Sequence, residues 1–236
     1  MELLSIDMLF AFLTLSLMEV ILGIDNIIFI SILTNKLPNE IRRQARIFGI
    51  GLALVTRILM LLSIKWIMGL TEPFLVLSGF EISGRAMILF SGGVFLLVKS
   101  LKELYVFVEK ESQEMAGKLN IRNSLIGIIL QIAILDIVFS FDSILTAIGM
   151  TDYLPIMIAA IVVAMIVMLF FSALVSRLVE KFPSLQILAL TFLILIGFVL
   201  IFDAFEYHIS KSYIYAALGF SLLIELINMR AGTRKS

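Results

Sequence analysis

Two stretches of the chain place carboxylates inside long apolar runs at the same spacing. Each stretch has an acid, five mostly apolar residues, an aspartate, a small polar residue and an isoleucine. The polar positions are Glu19, Asp25 and Asn26 in the first stretch and Asp136, Asp142 and Ser143 in the second. Carboxylate, amide and hydroxyl oxygens are hard donors that suit Mg²⁺, Ca²⁺ or Mn²⁺, whereas Cu⁺ and Zn²⁺ favour sulfur and imidazole. We therefore predict that these six residues form a site for a hard divalent cation.

The composition places these stretches in a membrane. The 236 residues are 61% hydrophobic and 15% charged, with a mean hydropathy of +1.12, whereas soluble domains carry about 25% charged residues. Basic and acidic residues balance, so the net charge gives no indication of nucleic-acid binding. The absence of cysteine excludes disulfides and thiolate sites, and a single histidine excludes a His-rich zinc site. The first residues lack the pattern of a cleaved signal peptide, so we expect none.

Seven stretches are long and apolar enough to span a bilayer, which requires about 20 residues. The sequence thus predicts an all-α polytopic membrane protein with seven transmembrane helices. The predicted spans are Met8–Leu33, Ile47–Ile64, Met87–Val108, Ser124–Met150, Leu154–Ser176, Ser184–Phe202 and Tyr213–Met229.

The distribution of Lys and Arg predicts the orientation of these spans, because cytoplasmic loops carry an excess of both residues. Most of them fall in the first, third and fifth loops and the C-terminal tail, and the opposite side has Lys65, Arg85 and Lys211. We therefore predict an external N-terminus and a cytoplasmic C-terminus, in a bacterial cytoplasmic (inner) membrane.

The two acidic stretches belong to a longer internal repeat. Ala53-Leu-Val-Thr-Arg57 in the second span is echoed by Ala173-Leu-Val-Ser-Arg177 in the fifth, and Gly93 is weakly echoed by Gly197. Because each repeat has three spans, the second must enter the membrane from the opposite side, as in many secondary transporters. The predicted organisation is a three-helix repeat (1–110), a cytoplasmic linker (111–123), a second inverted three-helix repeat (124–210), and a seventh helix with its tail (211–236).

Inserting ionised acids at the centre of a spanning helix is unfavourable, and four of them cost on the order of 10 kcal/mol on insertion scales. Another interaction must therefore offset this free energy. A bound cation, protons, water or a positive partner could do so. Competition between metal and protons for these carboxylates would permit proton-coupled transport. Arg57 and Arg177 are candidates for a gating or counter-ion role. Gln131 is a candidate for a residue that reaches a cavity around the acids. On a straight helix Asp25 points about 120° away from Glu19, so unwinding at Gly23 could bring both to one site.

The motifs resemble a known family. Met18-Glu19-Val-Ile-Leu-Gly23-Ile-Asp25-Asn26 and Asp136-Ile-Val-Phe-Ser140-Phe-Asp142-Ser143 resemble the two signatures of the TerC family, within the LysE-like transporter superfamily. The resemblance covers residues 9–229. It implies a seven-span core of two inverted repeats, and export of Mn²⁺ as a substrate rather than a cofactor. It also implies metal binding by Glu19, Asp25, Asn26, Asp136, Asp142 and Ser143.

Other interpretations stay open. Within transport, the protein could be a divalent or proton-coupled carrier with another substrate, or an oxyanion-resistance pump, although four acids would repel an anion. The paired acids could bridge helices through Arg57 or Arg177, with Asn26 and Ser143 forming interhelical hydrogen bonds. Some family members are reported to act in metal insertion or membrane-protein assembly. An intramembrane aspartyl protease also needs two aspartates, but the Gly-x-Gly-Asp motif of those enzymes is absent here. We expect no enzymatic activity and no cofactor. The expected partners are a divalent ion, lipid and protons, without nucleic acid; the sequence does not predict the oligomeric state.

Overall fold

The computed structural model describes residues 6–77, 80–109, 121–151, 153–207 and 209–232. Its helices are α1 (Ile6–Leu22), α2 (Ile24–Thr34), α3 (Asn39–Leu62), α4 (Ile64–Gly69), α5 (Gly84–Glu109), α6 (Ile121–Met150), α7 (Leu154–Lys181), α8 (Pro183–Ala204) and α9 (Lys211–Gly232). Two short strands, β1 (Pro73–Leu77) and β2 (Phe80–Ser83), pair as an antiparallel hairpin.

This architecture confirms the predicted fold class of a helical, polytopic membrane protein. Within the described residues, six helical segments are long and apolar enough to cross a membrane, with α1 and α2 together forming the first. The seventh predicted span corresponds to α9, whose apolar part, Ser212–Glu225, is shorter. The protein therefore has six to seven apolar spanning helices. The inverted relation of the two repeats and the four predicted domain boundaries stay predictions.

The segment between the second and third predicted spans is more ordered than the sequence indicated. Between the predicted spans that end at Ile64 and begin at Met87, the chain forms α4 and then the β1–β2 hairpin. These elements are too short to give a clear periodic signal, because six apolar residues fit a helix and a strand equally well. The second span also begins earlier than predicted: α3 starts at Asn39, directly after Pro38. An early start is favourable there, since Glu40 lies in the first turn, where the helix dipole stabilises negative charge.

The described chain divides into two compact units. The first comprises residues 1–72 and 118–177, and so contains α1 to α4, α6 and most of α7. In this unit α6 packs along α3, where Gly49 lets the two helices approach closely: a Cβ built on Gly49 would lie 3.0 Å from Cδ1 of Ile132. Both acidic stretches belong to this unit.

The second unit comprises residues 73–117 and 178–236, with the hairpin, α5, α8 and α9. Its main interface joins α5 to α8 at the two glycines that the repeat related to each other. A Cβ built on Gly93 would lie 2.8 Å from the carbonyl oxygen of Gly197, so the backbones meet where neither residue has a side chain. Small residues at such crossings permit the close van der Waals packing that holds helices together in lipid.

Candidate functional site

The first span is divided into two helices at Gly23, between Glu19 and Asp25. α1 ends at Leu22 and α2 begins at Ile24, yet the Gly23 amide still donates to the Glu19 carbonyl at 2.9 Å. The Ile27 amide likewise donates to the Gly23 carbonyl at 3.0 Å. Helical hydrogen bonding therefore continues on both sides of Gly23, and the structure shows a break between two helices rather than an unwound segment. The fourth span is one continuous helix, α6.

The break lies against α7. A Cβ built on Gly23 would overlap the sulfur of Met168, whose side chain is buried. Glycine therefore serves a packing purpose here, because a Cβ would require the Met168 side chain to move and would also lie 2.9 Å from the carbonyl oxygen of Glu19.

A buried arginine joins the two halves of the predicted site. Arg57 of α3 donates from Nη1 to Oε2 of Glu19 on α1, and from Nη2 to Oδ1 of Asp136 on α6 at 2.9 Å. Its Nε also donates to Oδ1 of Asp136, at 3.2 Å. The exposed fractions are 4% for Glu19, 2% for Arg57 and 3% for Asp136. The first acid of each stretch thus bonds to the same guanidinium, and the three residues come from three different helices.

Asp136 is surrounded by further donors. Asn26 Nδ2 donates to Oδ1 at 3.2 Å, whereas Thr56 and Ser140 donate to Oδ2 from their hydroxyls at 3.2 and 3.3 Å. With the two arginine bonds, Asp136 has five donors within hydrogen-bond distance, although the Thr56 hydroxyl has a single proton and also lies 2.9 Å from the Ala53 carbonyl oxygen. For the Glu19 side chain, by contrast, the described part of the chain provides one hydrogen-bond partner, Arg57.

The charges in this cluster do not cancel. Two carboxylates share one guanidinium, so the ionised cluster carries one excess negative charge in a nearly dry environment. Removing charges from water is expensive even when they are paired. Unbalanced negative charge is therefore an attractive environment for a second cation.

The remaining predicted site residues are placed less centrally. Ser143 is buried, but its hydroxyl donates to the carbonyl of Ser140 in its own helix, at 3.2 Å. Arg177 is exposed, and its Nε donates to the carbonyl of Ala173 at 3.3 Å. Gln131 is half-buried, and its Oε1 has no hydrogen-bond partner among the described residues.

The second aspartate of each stretch has a described backbone only. Asp25 lies in α2 and Asp142 in α6, but their side chains lie outside the described part of the structure. Among the residues that are described, no group of three or more His, Cys, Asp or Glu side chains is arranged to hold a metal. Glu19, Asp136 and Asn26 are nevertheless hard-donor side chains gathered at one place.

Two members of the cluster were not predicted from the sequence. Thr56 directly precedes Arg57, and Ser140 lies one helical turn after Asp136. Thr56 belongs to the repeated Ala-Leu-Val-Thr/Ser-Arg pattern, which was the available signal. Its repeat counterpart, Ser176, bonds instead to the residue that caps the end of α2: its hydroxyl donates to Oδ1 of Asn35 at 2.7 Å, and Asn35 Nδ2 donates back to the Ser176 carbonyl at 3.3 Å.

Comparison with known proteins gives a consistent result. The sequence model described as integral membrane protein TerC family matches residues 4–236. A UPF0053 protein of Haemophilus influenzae is 48% identical over 217 residues, which cover 92% of this chain and 91% of that protein. The UPF0053 inner membrane protein YgdQ of Escherichia coli is 45% identical over 216 residues, covering 92% and 90%.

A longer relative shows the same similarity over part of its length. The UPF0053 inner membrane protein YoaE of Escherichia coli is 44% identical over 219 residues, which cover 93% of this chain but 42% of that protein. No solved structure shows significant similarity to the chain.

Proposed function

Because the chain belongs to the TerC family of integral membrane proteins, we propose that it is a membrane transporter that exports a divalent cation, with Mn²⁺ as the first substrate to test. The proposal places it in a bacterial inner membrane, as the names of its relatives indicate, with the N-terminus outside. The cation would enter from the cytoplasm, bind among the acids and leave outside by alternating access, with protons as a candidate exchange partner.

The observation that carries the proposal is the unequal charge of the buried cluster. A purely structural bridge between helices needs one acid for each arginine, whereas Glu19 and Asp136 share Arg57 alone. Buried charge inside spanning helices is rare and marks ion pathways and relays. The excess of one carboxylate is therefore better explained by a cation that visits the site than by helix bridging.

The chemistry of the neighbouring donors favours a hard divalent ion. Glu19, Asp136 and Asn26 offer carboxylate and amide oxygens, which suit Mn²⁺, Mg²⁺ or Ca²⁺. Asp25 follows Glu19 in the first span and Asp142 follows Asp136 in α6, and both are proposed as further ligands, with Ser143 as a weaker candidate. Since the site is negative, it would repel an anion, and so direct transport of an oxyanion is not proposed.

The test is transport by purified protein in liposomes that contain a dye sensitive to divalent cations. Mn²⁺, Mg²⁺, Ca²⁺ and Zn²⁺ would be compared with and without a pH gradient. The variants Glu19→Gln, Asp25→Asn and Asp142→Asn should lose flux. Glu40→Gln, which changes an exposed glutamate in the first turn of α3, is the matched control and should transport like the wild type.

Flux that prefers Mn²⁺ and is lost in the acid variants would support the exporter. If folded, inserted protein moves none of the four ions, the exporter proposal is wrong. The assembly or metal-insertion role would then be the better hypothesis.

A further inference from the structure

We propose that Arg57 is a built-in competitor of the transported cation, and that it leaves Glu19 rather than Asp136 when the cation binds. This inference rests on the proposed transport function. It assigns different roles to two acids that the sequence repeat treats as equivalent: Asp136 holds the guanidinium, and Glu19 exchanges it for the substrate.

The first argument is the number of bonds that must break. Separating Arg57 from Asp136 would break two hydrogen bonds, from Nε and Nη2 to Oδ1. Separating Arg57 from Glu19 would break one, from Nη1 to Oε2. Hydrogen bonds between charged groups are the strong ones, so the contact with Glu19 is the weaker attachment.

The second argument is how well each carboxylate is supplied with other donors. Asp136 also accepts hydrogen bonds from Asn26, Thr56 and Ser140. A cation approaching Asp136 would have to displace several of these neutral donors as well as the guanidinium. Glu19, whose described partner is Arg57, would lose a single bond and gain a divalent ion.

The third argument concerns the metal ligands that the span of Glu19 offers. Asn26 uses its amide nitrogen on Asp136, which leaves its amide oxygen as a hard donor in the same span as Glu19. Once Arg57 is held by Asp136 alone, the charges of Arg57 and Asp136 cancel each other. Glu19 then supplies the negative charge that the divalent ion needs.

An internal competitor changes the kinetics of transport. A site with four free carboxylates in a membrane would bind a divalent ion tightly and release it slowly. If the guanidinium can return to Glu19, it replaces the departing ion and compensates the carboxylate during release. Arg57 therefore weakens binding and speeds turnover.

The experiment compares Mn²⁺ affinity and transport in the full-length protein and its Arg57 variants. A positive charge within about 4–6 Å lowers the affinity of a carboxylate for a proton by about 10- to 1000-fold, and we expect its effect on the binding of a divalent cation to be at least at the lower end of that range. Arg57→Gln should therefore bind Mn²⁺ at least about tenfold more tightly than the wild type, by titration calorimetry in detergent, and transport it more slowly in liposomes. A residue that merely supports the fold would not produce tighter binding when removed.

Second-site variants show which acid is responsible for the higher Mn²⁺ affinity expected of Arg57→Gln. Adding Glu19→Gln to Arg57→Gln should abolish the gain in affinity, whereas adding Asp136→Asn should leave more of it. The Glu19→Gln/Arg57→Gln double variant also restores the cluster charge to that of the wild type, and circular dichroism and gel filtration would verify its folding.

Arg57→Lys keeps the experiment decisive if Arg57→Gln does not fold. A lysine ammonium cannot bridge both acids with a fork of donors, so Mn²⁺ affinity should rise by a smaller factor. The inference is overturned if wild-type protein transports Mn²⁺ but the folded Arg57 variants bind it equally or more weakly. If neither wild type nor variants bind or move any divalent ion, the proposed function itself fails, and the inference with it.

Discussion

The unequal attachment of Arg57 to its two acids predicts an order of stability that can be measured without any metal. The perturbation is a set of near-isosteric, charge-removing variants: Glu19→Gln, Asp136→Asn and Arg57→Gln. Each removes a charge with little change of volume, so packing stays nearly constant and the free energy of unfolding reports mainly on the cluster.

The magnitudes follow from the observed bonds. A hydrogen bond to a charged group contributes about 1.5–3 kcal/mol. Glu19→Gln weakens one such bond and should lower the free energy of unfolding by about that amount. Asp136→Asn weakens the two bonds from Arg57 and also those from Asn26 and Ser140, so it should cost at least twice as much, about 3–6 kcal/mol or more. Arg57→Gln leaves both carboxylates buried without their counter-ion, so it should cost the most, more than the about 3–5 kcal/mol typical of one broken buried pair.

The assay is thermal and denaturant unfolding of purified protein in detergent, with a chelator present so that no divalent ion contributes. Exposed Glu40→Gln is the matched control and should change the free energy of unfolding by less than about 0.5 kcal/mol. A double-mutant cycle with Glu19→Gln and Arg57→Gln isolates the pairwise coupling. If Glu19→Gln destabilises the protein as much as Asp136→Asn, or more, the unequal attachment is wrong.

Three further predictions concern packing and topology. Gly23→Ala should lower the free energy of unfolding by about 1–3 kcal/mol, because its Cβ would overlap a methionine sulfur of α7; Gly51→Ala, which has open space around it, should cause no loss. Gly93→Ala should cost a similar amount by separating α5 from α8, measured by the same unfolding assay, whereas Gly219→Ala, also surrounded by open space, should be neutral. Because the chain contains no cysteine, a single cysteine introduced at Glu72 should react with an impermeant maleimide from outside intact cells; protection until the membrane is opened would reverse the predicted orientation.

Much of the fold could be predicted from local properties of the sequence. The spans were found because length and apolar composition are sufficient to identify a helix that crosses a bilayer, where every backbone polar group must be bonded within its own segment. The candidate site was found for a related reason: Glu19 and Asp136 are costly inside apolar helices, and that cost is visible in the sequence alone. The α4 segment and the β1–β2 hairpin were not predicted, because short elements depend on their neighbours more than on their own periodicity.

The pairing inside the site depended on tertiary structure. Arg57 and Arg177 end the same Ala-Leu-Val-Thr/Ser-Arg pattern, so the sequence could offer both as counter-ions. In the structure Arg57 is buried between two acids, whereas Arg177 is exposed and bonds to its own helix. The free energy of inserting a residue into a membrane is set by that residue and its segment, and so it can be read along the chain. The partner of a buried charge is set by distances between helices that are about 40 to 80 residues apart in sequence, and packing alone determines those distances.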